Sequence, residues 1–106
     1  MKIYSISPLV ENESELHLPE LVLAASLGDL QQVEKLLESG INANQIDDDG
    51  YSALHAAAEN NHLAIVKLLL QHGANLNYKA QYSALELANL AGNTQIVAYL
   101  SAQSEE

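Results

Sequence analysis

The chain has 106 residues with 14 acidic and 4 basic side chains, a formal net charge of −10. That balance disfavours direct binding to a nucleic-acid backbone, which needs clustered Lys and Arg, and would steer in a basic partner. Apolar content of 48% is too high for a disordered acidic tail, and the aromatic residues are all tyrosine, so the core must come from Leu, Ile, Val and Ala, which favours helices.

The length fits one domain. There is no cysteine, so disulfides and thiolate zinc sites are excluded. No apolar run approaches the roughly 18 residues of a membrane-crossing helix. The opening "MKIYSISPLVENE" lacks the sustained apolar stretch of a signal peptide. A soluble cytoplasmic protein is the expectation. Within residues 1–18, "KIYSIS" alternates enough for a short strand or extended arm. This segment is expected to cover the flank of the first helix pair, with a flexible tail as the alternative.

From residue 19 onward one unit recurs. "LVLAASLGDLQQVEKLLESGINAN" (21–44) lies over "LHAAAENNHLAIVKLLLQHGANLN" (54–77), with Leu21 over Leu54, Val33 over Val66 and Gly40 over Gly73. "SALELANLAGNTQIVAYL" (83–100) lies over "SALHAAAENNHLAIVKLL" (52–69), with Leu85 over Leu54 and Ile96-Val97 over Ile65-Val66. The units fall at about 19–49, 50–80 and 81–106.

The middle unit has the clearest shape. Ser52 caps a small-residue helix, "ALHAAAEN". Asn60-Asn61 makes a tight break, where asparagine tolerates left-handed geometry. "LAIVKLLLQH" is a second helix with an apolar stripe of Ile65, Val66, Leu69 and Leu70. Gly73 ends it as a left-handed cap. "ANLN" reads as a short extended arm. A helix pair of this size cannot bury both faces alone, so neighbouring units must stack.

The first unit begins with "PELV" in place of "SALH", which puts its helix capping in doubt. Six positions separate Asn77 from Ser83 against eight from Asn44 to Ser52, and "YKAQY" has no glycine, so the second connecting loop is expected to be blunt or bent differently. In the third unit Glu86 takes the place of His55. Ser101 stands where the middle unit has Leu70, which suits a solvated terminal cap.

"YSALHAAAENNHLAIVKLLLQHGANLN" resembles an ankyrin repeat, with SALH standing for the family's T-P-L-H and GAN for G-A-D. The resemblance covers roughly residues 19–101. It implies an all-α solenoid of stacked helix-turn-helix units with short β-turn fingers. It also implies that His55 bonds to backbone near the finger and orders it, and that His62, after the inter-helix turn, is a hydrogen-bonding structural residue.

The run "DDDG" invites a calcium reading that its spacing does not support. With Gly50 at the sixth position of an EF-hand loop, Gln45 would open it and Ala56 would close it, so the closing carboxylate is missing. A type I turn across Asp47–Gly50 fits better. The spacings of His55, His62 and His72 cross turns, unlike the paired histidines of a helical zinc site, and His72 suits the last turn of its helix. Asp47 and His55 lack a placed nucleophile, Ser52 being expected at a cap, and no nucleotide-binding or serine-hydrolase motif appears. No enzymatic activity, cofactor or metal is therefore expected.

What remains is the surface that the fold does not dictate. By resemblance, partners of such a scaffold contact the finger tips and the exposed face of each first helix. Those positions are Ser26 and Leu27 in the first unit, Asp48, Asp49, Tyr51, Glu59 and Asn60 in the second, and Lys79, Gln81, Tyr82, Leu90 and Ala91 in the third. Tyr51 and Tyr82 occupy equivalent places and serve either as binding anchors or as packing for their own fingers. Leu27 and Leu90 are apolar at nominally exposed positions. The carboxylates around the tyrosines favour a basic partner or simply keep the protein soluble. The expected function is binding of another protein, in a sharper form as an inhibitor or immunity-type protein for a basic enzyme. Self-association through the repeat flanks is the alternative, and a monomer or weak homodimer is expected.

Overall fold

The computed structural model describes residues 19–104, and the capping role expected of residues 1–18 lies outside them. Six helices follow in order among the described residues: α1 (Glu20–Leu27), α2 (Leu30–Glu38), α3 (Ala53–Glu59), α4 (Leu63–Gln71), α5 (Ala84–Ala91) and α6 (Thr94–Ser104). They form three antiparallel pairs, α1/α2, α3/α4 and α5/α6, joined by two fingers. The architecture is the all-α repeat solenoid that the sequence implies.

Each pair turns sharply because one residue at its corner adopts left-handed geometry. Gly28 (φ 80°), Asn61 (φ 66°) and Gly92 (φ 77°) stand at equivalent places, and only glycine or asparagine occupies this region readily. Cap chemistry sets where the helices start. The Ser52 hydroxyl accepts from the His55 N–H at 3.2 Å to open α3. Ser83 opens α5 through a reciprocal pair, accepting from the Glu86 N–H at 3.1 Å while Glu86 Oε1 accepts from the Ser83 N–H at 2.9 Å. Pro19 opens α1 with no side-chain cap, in line with the doubt raised by "PELV".

The inner helices α1, α3 and α5 stack far more closely than the outer helices α2, α4 and α6. The cause is side-chain size. Ala24, Ala25, Ala56, Ala57, Ala58, Ala84 and Ala88 are buried along the inner row and let backbones approach. The outer helices meet through larger side chains: Val33, Leu36 and Leu37 on α2, Ile65, Val66 and Leu69 on α4, Ile96 and Leu100 on α6. These buried residues form one continuous apolar cluster across all three units. Leu70, at the end of the α4 stripe, is only partly buried.

Two expectations need correction. The "ANLN" stretch is a turn and not an extended arm. The Asn75 carbonyl accepts from the Tyr78 N–H and its side chain accepts from the Asn77 N–H at 3.0 Å, so asparagine folds the backbone locally. Asn42 does the same to the Asn44 N–H at 2.9 Å. His62 is also not held by a side-chain hydrogen bond among the described residues. Its ring lies over Gly28 of the preceding unit, where an added Cβ would stand 2.6 Å from it. The hydrogen bond expected of that position is made instead by its equivalent in the third unit, Asn93, whose Nδ2 donates to the carbonyls of Ala58 (2.8 Å) and Glu59 (3.1 Å).

Candidate functional site

The first finger is built by Asp47. Gly50 N–H donates to the Asp47 carbonyl at 3.0 Å, closing the turn, and Asp47 N–H donates to the Tyr51 carbonyl at 2.9 Å. Asp47 Oδ1 accepts from the backbone N–H groups of Asp49 and Tyr51, each at 2.9 Å. This carboxylate is therefore spent on the backbone. The finger begins and ends at a single bridge between Ile46 and Ser52. The second finger closes between Lys79 and Ser83, two residues shorter, as the spacing predicts.

His55 and Tyr78 hold the two fingers together. His55 is 1% exposed, and its Nε2 lies 2.7 Å from the Tyr82 carbonyl of the next unit. A carbonyl only accepts, so Nε2 carries the proton and the neutral ring's Nδ1 accepts from the Ser52 hydroxyl at 2.7 Å. Burial pushes the His55 pKa below its ordinary value, against the opposing pull of the Tyr82 carbonyl and of the Asp47 and Glu59 charges. The Tyr78 hydroxyl donates to the Gly50 carbonyl at 2.7 Å, and its ring meets His55 edge-on at 5.3 Å. Tyr51 flanks His55 on another side at 5.5 Å and donates its hydroxyl to Glu59 Oε1. Burial first, then that hydrogen bond and the charges of Glu59 and Asp47, raise the Tyr51 pKa well above the ordinary phenol value.

Between the fingers and the inner helices α3 and α5 runs a groove of about 550 Å³. Asp49, Tyr51 and Glu59 line it from the second unit, and Gln81, Tyr82, Leu90 and Ala91 from the third. Seven of the expected residues thus come together. Leu90 is 70% exposed and Tyr82 41%, so large apolar surface stands open to solvent. A second hollow of about 410 Å³ continues past Tyr82 and Leu90 to Glu86 and Asn89.

The other five expected residues lie apart. Asp48 is exposed on the finger beyond the groove lining. Asn60 donates its Nδ2 to the Ala56 carbonyl at 2.9 Å, closing the end of α3. Lys79 is absent from the groove lining and pairs with Glu86 at 3.6 Å. Ser26 and Leu27 belong to the first unit, where Leu27 is 71% exposed in a separate hollow with Leu23.

Three residues of the site escape sequence reasoning. Leu87 and Ala80 complete the groove lining, and Tyr78 fixes the finger tip. Leu87 carries a usable signal, since it takes the register position of Ala56 with a much larger side chain. Tyr78 carries none, because it touches Gly50 only once the two loops are stacked.

Among the described residues no cluster of three His, Asp or Glu side chains is placed to hold a metal, and no helix is long and apolar enough to cross a membrane.

Comparison with known proteins agrees with this architecture. The family described as ankyrin repeats in three copies matches residues 21–106. An ankyrin repeat-containing protein of Schizosaccharomyces pombe is 38% identical over 63 residues, which is 59% of this chain and 30% of that protein. Ankyrin repeat domain-containing protein 40 of Mus musculus is 47% identical over 53 residues, 49% of this chain and 15% of that protein. A palmitoyltransferase of Gibberella zeae is 44% identical over 61 residues, 57% of this chain and 8% of that protein. The chain spans less than a third of the length of each of these relatives. Ankyrin repeats generally mediate protein–protein interaction and are typically non-catalytic. With three copies of the repeat along most of its length, the chain belongs to the ankyrin repeat family.

Proposed function

We propose that this chain binds another protein in the groove between its fingers and the inner helices α3 and α5. The observation that carries this reading is the exposure of Leu90 and Tyr82 on a surface that the stack itself does not need to cover. A folded chain leaves few large apolar groups together in a concavity, and such a place is where a partner gains most from excluding water. Its finer form is a partner with a basic surface, of which an enzyme held in check by the interaction is one case. Asp49 and Glu59 on the groove support this, together with the net charge of −10. Such complementarity acts mainly on association rate and specificity.

The test is affinity capture from the native extract with the intact chain and with Leu90→Arg in parallel. Leu90 is mostly exposed, so the variant is expected to fold with an unchanged melting temperature. A protein retained by the intact chain and lost by the variant supports the reading. Equal retention by both places the partner elsewhere and removes it. For the finer form, substitution of Asp49 and raised salt each weaken capture, whereas salt-insensitive binding sinks the basic partner.

A second reading, association of two copies through a repeat flank, draws on Leu23 and Leu27 of the first unit. Leu23 is 44% exposed although its equivalents Ala56 and Leu87 are buried. Sedimentation at several concentrations decides it, and a persistent monomer removes it.

A further inference from the structure

We infer that the occupant of this groove is an extended peptide segment in which an aliphatic side chain adjoins a Lys or Arg, the aliphatic group seated against Leu90 and the cation paired with Glu59. The inference rests on the protein-binding reading above and adds the chemistry of what is bound.

The apolar half comes from the third unit. Leu87 forms the base, Leu90 stands 70% exposed beside it, and Ala91 and the Tyr82 ring complete the wall. No polar side chain of α5 faces this part of the lining. A side chain seated between Leu87, Leu90, Ala91 and the Tyr82 ring meets mostly carbon, with Gln81 the polar side chain that the third unit adds to the lining, so an apolar group fits best there.

The charged half comes from the second unit and is unusually well prepared. Tyr51 donates its hydroxyl to one oxygen of Glu59, and the Tyr51 ring is itself fixed against the buried His55. Glu59 is thus held in one orientation before any ligand arrives. An ordinary exposed glutamate must lose its rotamer freedom when it forms an ion pair, and Glu59 has lost much of it already. The Tyr51 phenol is protonated, and so a donor, throughout the neutral range. The second oxygen of Glu59 has no partner among the described residues, and Asp49 adds a further negative charge on the same lining. Among the described residues the ion pair present is Lys79–Glu86, and Lys67 lies over the Tyr99 ring on the outer helices. Among the described residues no cation pairs with the groove's carboxylates Asp49 and Glu59, and a Lys or Arg from the ligand supplies one.

The two halves sit on different repeats, joined by the His55–Tyr82 hydrogen bond. A segment that crosses from one to the other must be extended, because the groove runs along the stack beneath both fingers.

The experiment is selection of a random nonapeptide library against the purified chain, repeated with Glu59→Gln and with Leu90→Ala. The intact chain is expected to enrich peptides pairing Leu, Ile, Val or Met with Lys or Arg. Glu59→Gln removes the enrichment of the basic residue and keeps the aliphatic one, and Leu90→Ala does the reverse. For a selected peptide, each change weakens binding by about tenfold, the scale of one well-placed anchor. Tyr51→Phe frees Glu59 without altering charge and weakens Lys- and Arg-bearing peptides severalfold, while peptides with Gln in their place are unaffected. A merely structural role for Tyr51 would weaken both classes alike and overturn the positioning claim. Failure to enrich any peptide, or enrichment of acidic or purely apolar sequences, overturns the inference. Peptides that depend on Leu90 but ignore Glu59 overturn it while leaving the protein-binding reading intact. Peptides indifferent to both variants remove both.

Discussion

His55 has both ring nitrogens engaged, one by the Ser52 hydroxyl and one by the Tyr82 carbonyl, so its neutral state is part of the fold. A folded-state pKa held below the unfolded one means that the unfolded chain binds the proton more readily. The stability linked to this residue is fully present above its unfolded pKa of about 6.5 and is lost as pH falls from there towards the folded value. Urea midpoints are expected to fall as pH drops below about 6.5, before the usual carboxylate range is reached, and to respond less in His55→Gln. His55→Ala leaves the Tyr82 carbonyl and Ser52 hydroxyl without their partner and opens a cavity, for a loss of about 2–4 kcal/mol by the same measurement.

Gly28 and Gly92 share left-handed geometry but not surroundings. A Cβ on Gly28 meets the His62 ring, and one on Gly92 meets nothing within 4 Å. Gly92→Ala is therefore expected to cost about 1 kcal/mol of backbone strain, and Gly28→Ala measurably more. Adding His62→Ala to Gly28→Ala recovers part of the difference. Equal losses at the two glycines would show that the ring moves aside without cost.

At the scale of the helix, the caps divide the units. α5 carries a complete reciprocal cap, α3 a serine cap coupled to a buried histidine, and α1 no side-chain cap. Ser83→Ala is expected to destabilise by about 1 kcal/mol, read from denaturant midpoints. Ser52→Ala is expected to cost more, since it also strips Nδ1 of His55 of its donor in a buried place.

The helices, their corners and the unequal fingers are legible in the sequence because they depend on local chemistry. A serine before a small-residue run, asparagine at a corner and a glycine after an apolar stripe each act within a few residues. The turn at Asn75 is not legible in the same way, because asparagine folds back on its own backbone, a competition that apolar patterning does not register. The groove is legible in part. Tyr51 and Tyr82 stand out by equivalence between units and Leu90 by being apolar at a nominally exposed position, whereas Tyr78 reaches Gly50 from the opposite end of the same unit and shows itself only once the two loops stack. The role of His62 is hidden for a related reason, since its neighbour Gly28 lies in the previous repeat.

For the whole molecule, one apolar cluster runs through all three units, so the described residues have no interface at which one unit could part without exposing core. Cooperative unfolding is the consequence for a stack this short. The excess of carboxylates opposes it, because like charges repel in the compact state. Melting temperature is expected to rise as NaCl goes from about 0.01 to 0.15 M, where the screening length shortens from roughly 30 to 8 Å. Peptide binding in the groove is expected to weaken over the same range. Opposite responses of folding and binding to one variable separate general self-repulsion from a specific charged contact.

The bond between His55 and the Tyr82 carbonyl also has a practical meaning. The Nε2 proton is sealed from solvent and directed at the backbone of a residue whose ring lines the groove. Slow exchange with water would make it visible as an isolated imidazole resonance, far from the crowded amide region. An occupant that presses on Tyr82 is expected to alter the length of that bond and so the frequency of this proton. That resonance would then serve as an intrinsic NMR reporter of the proposed groove, needing no label.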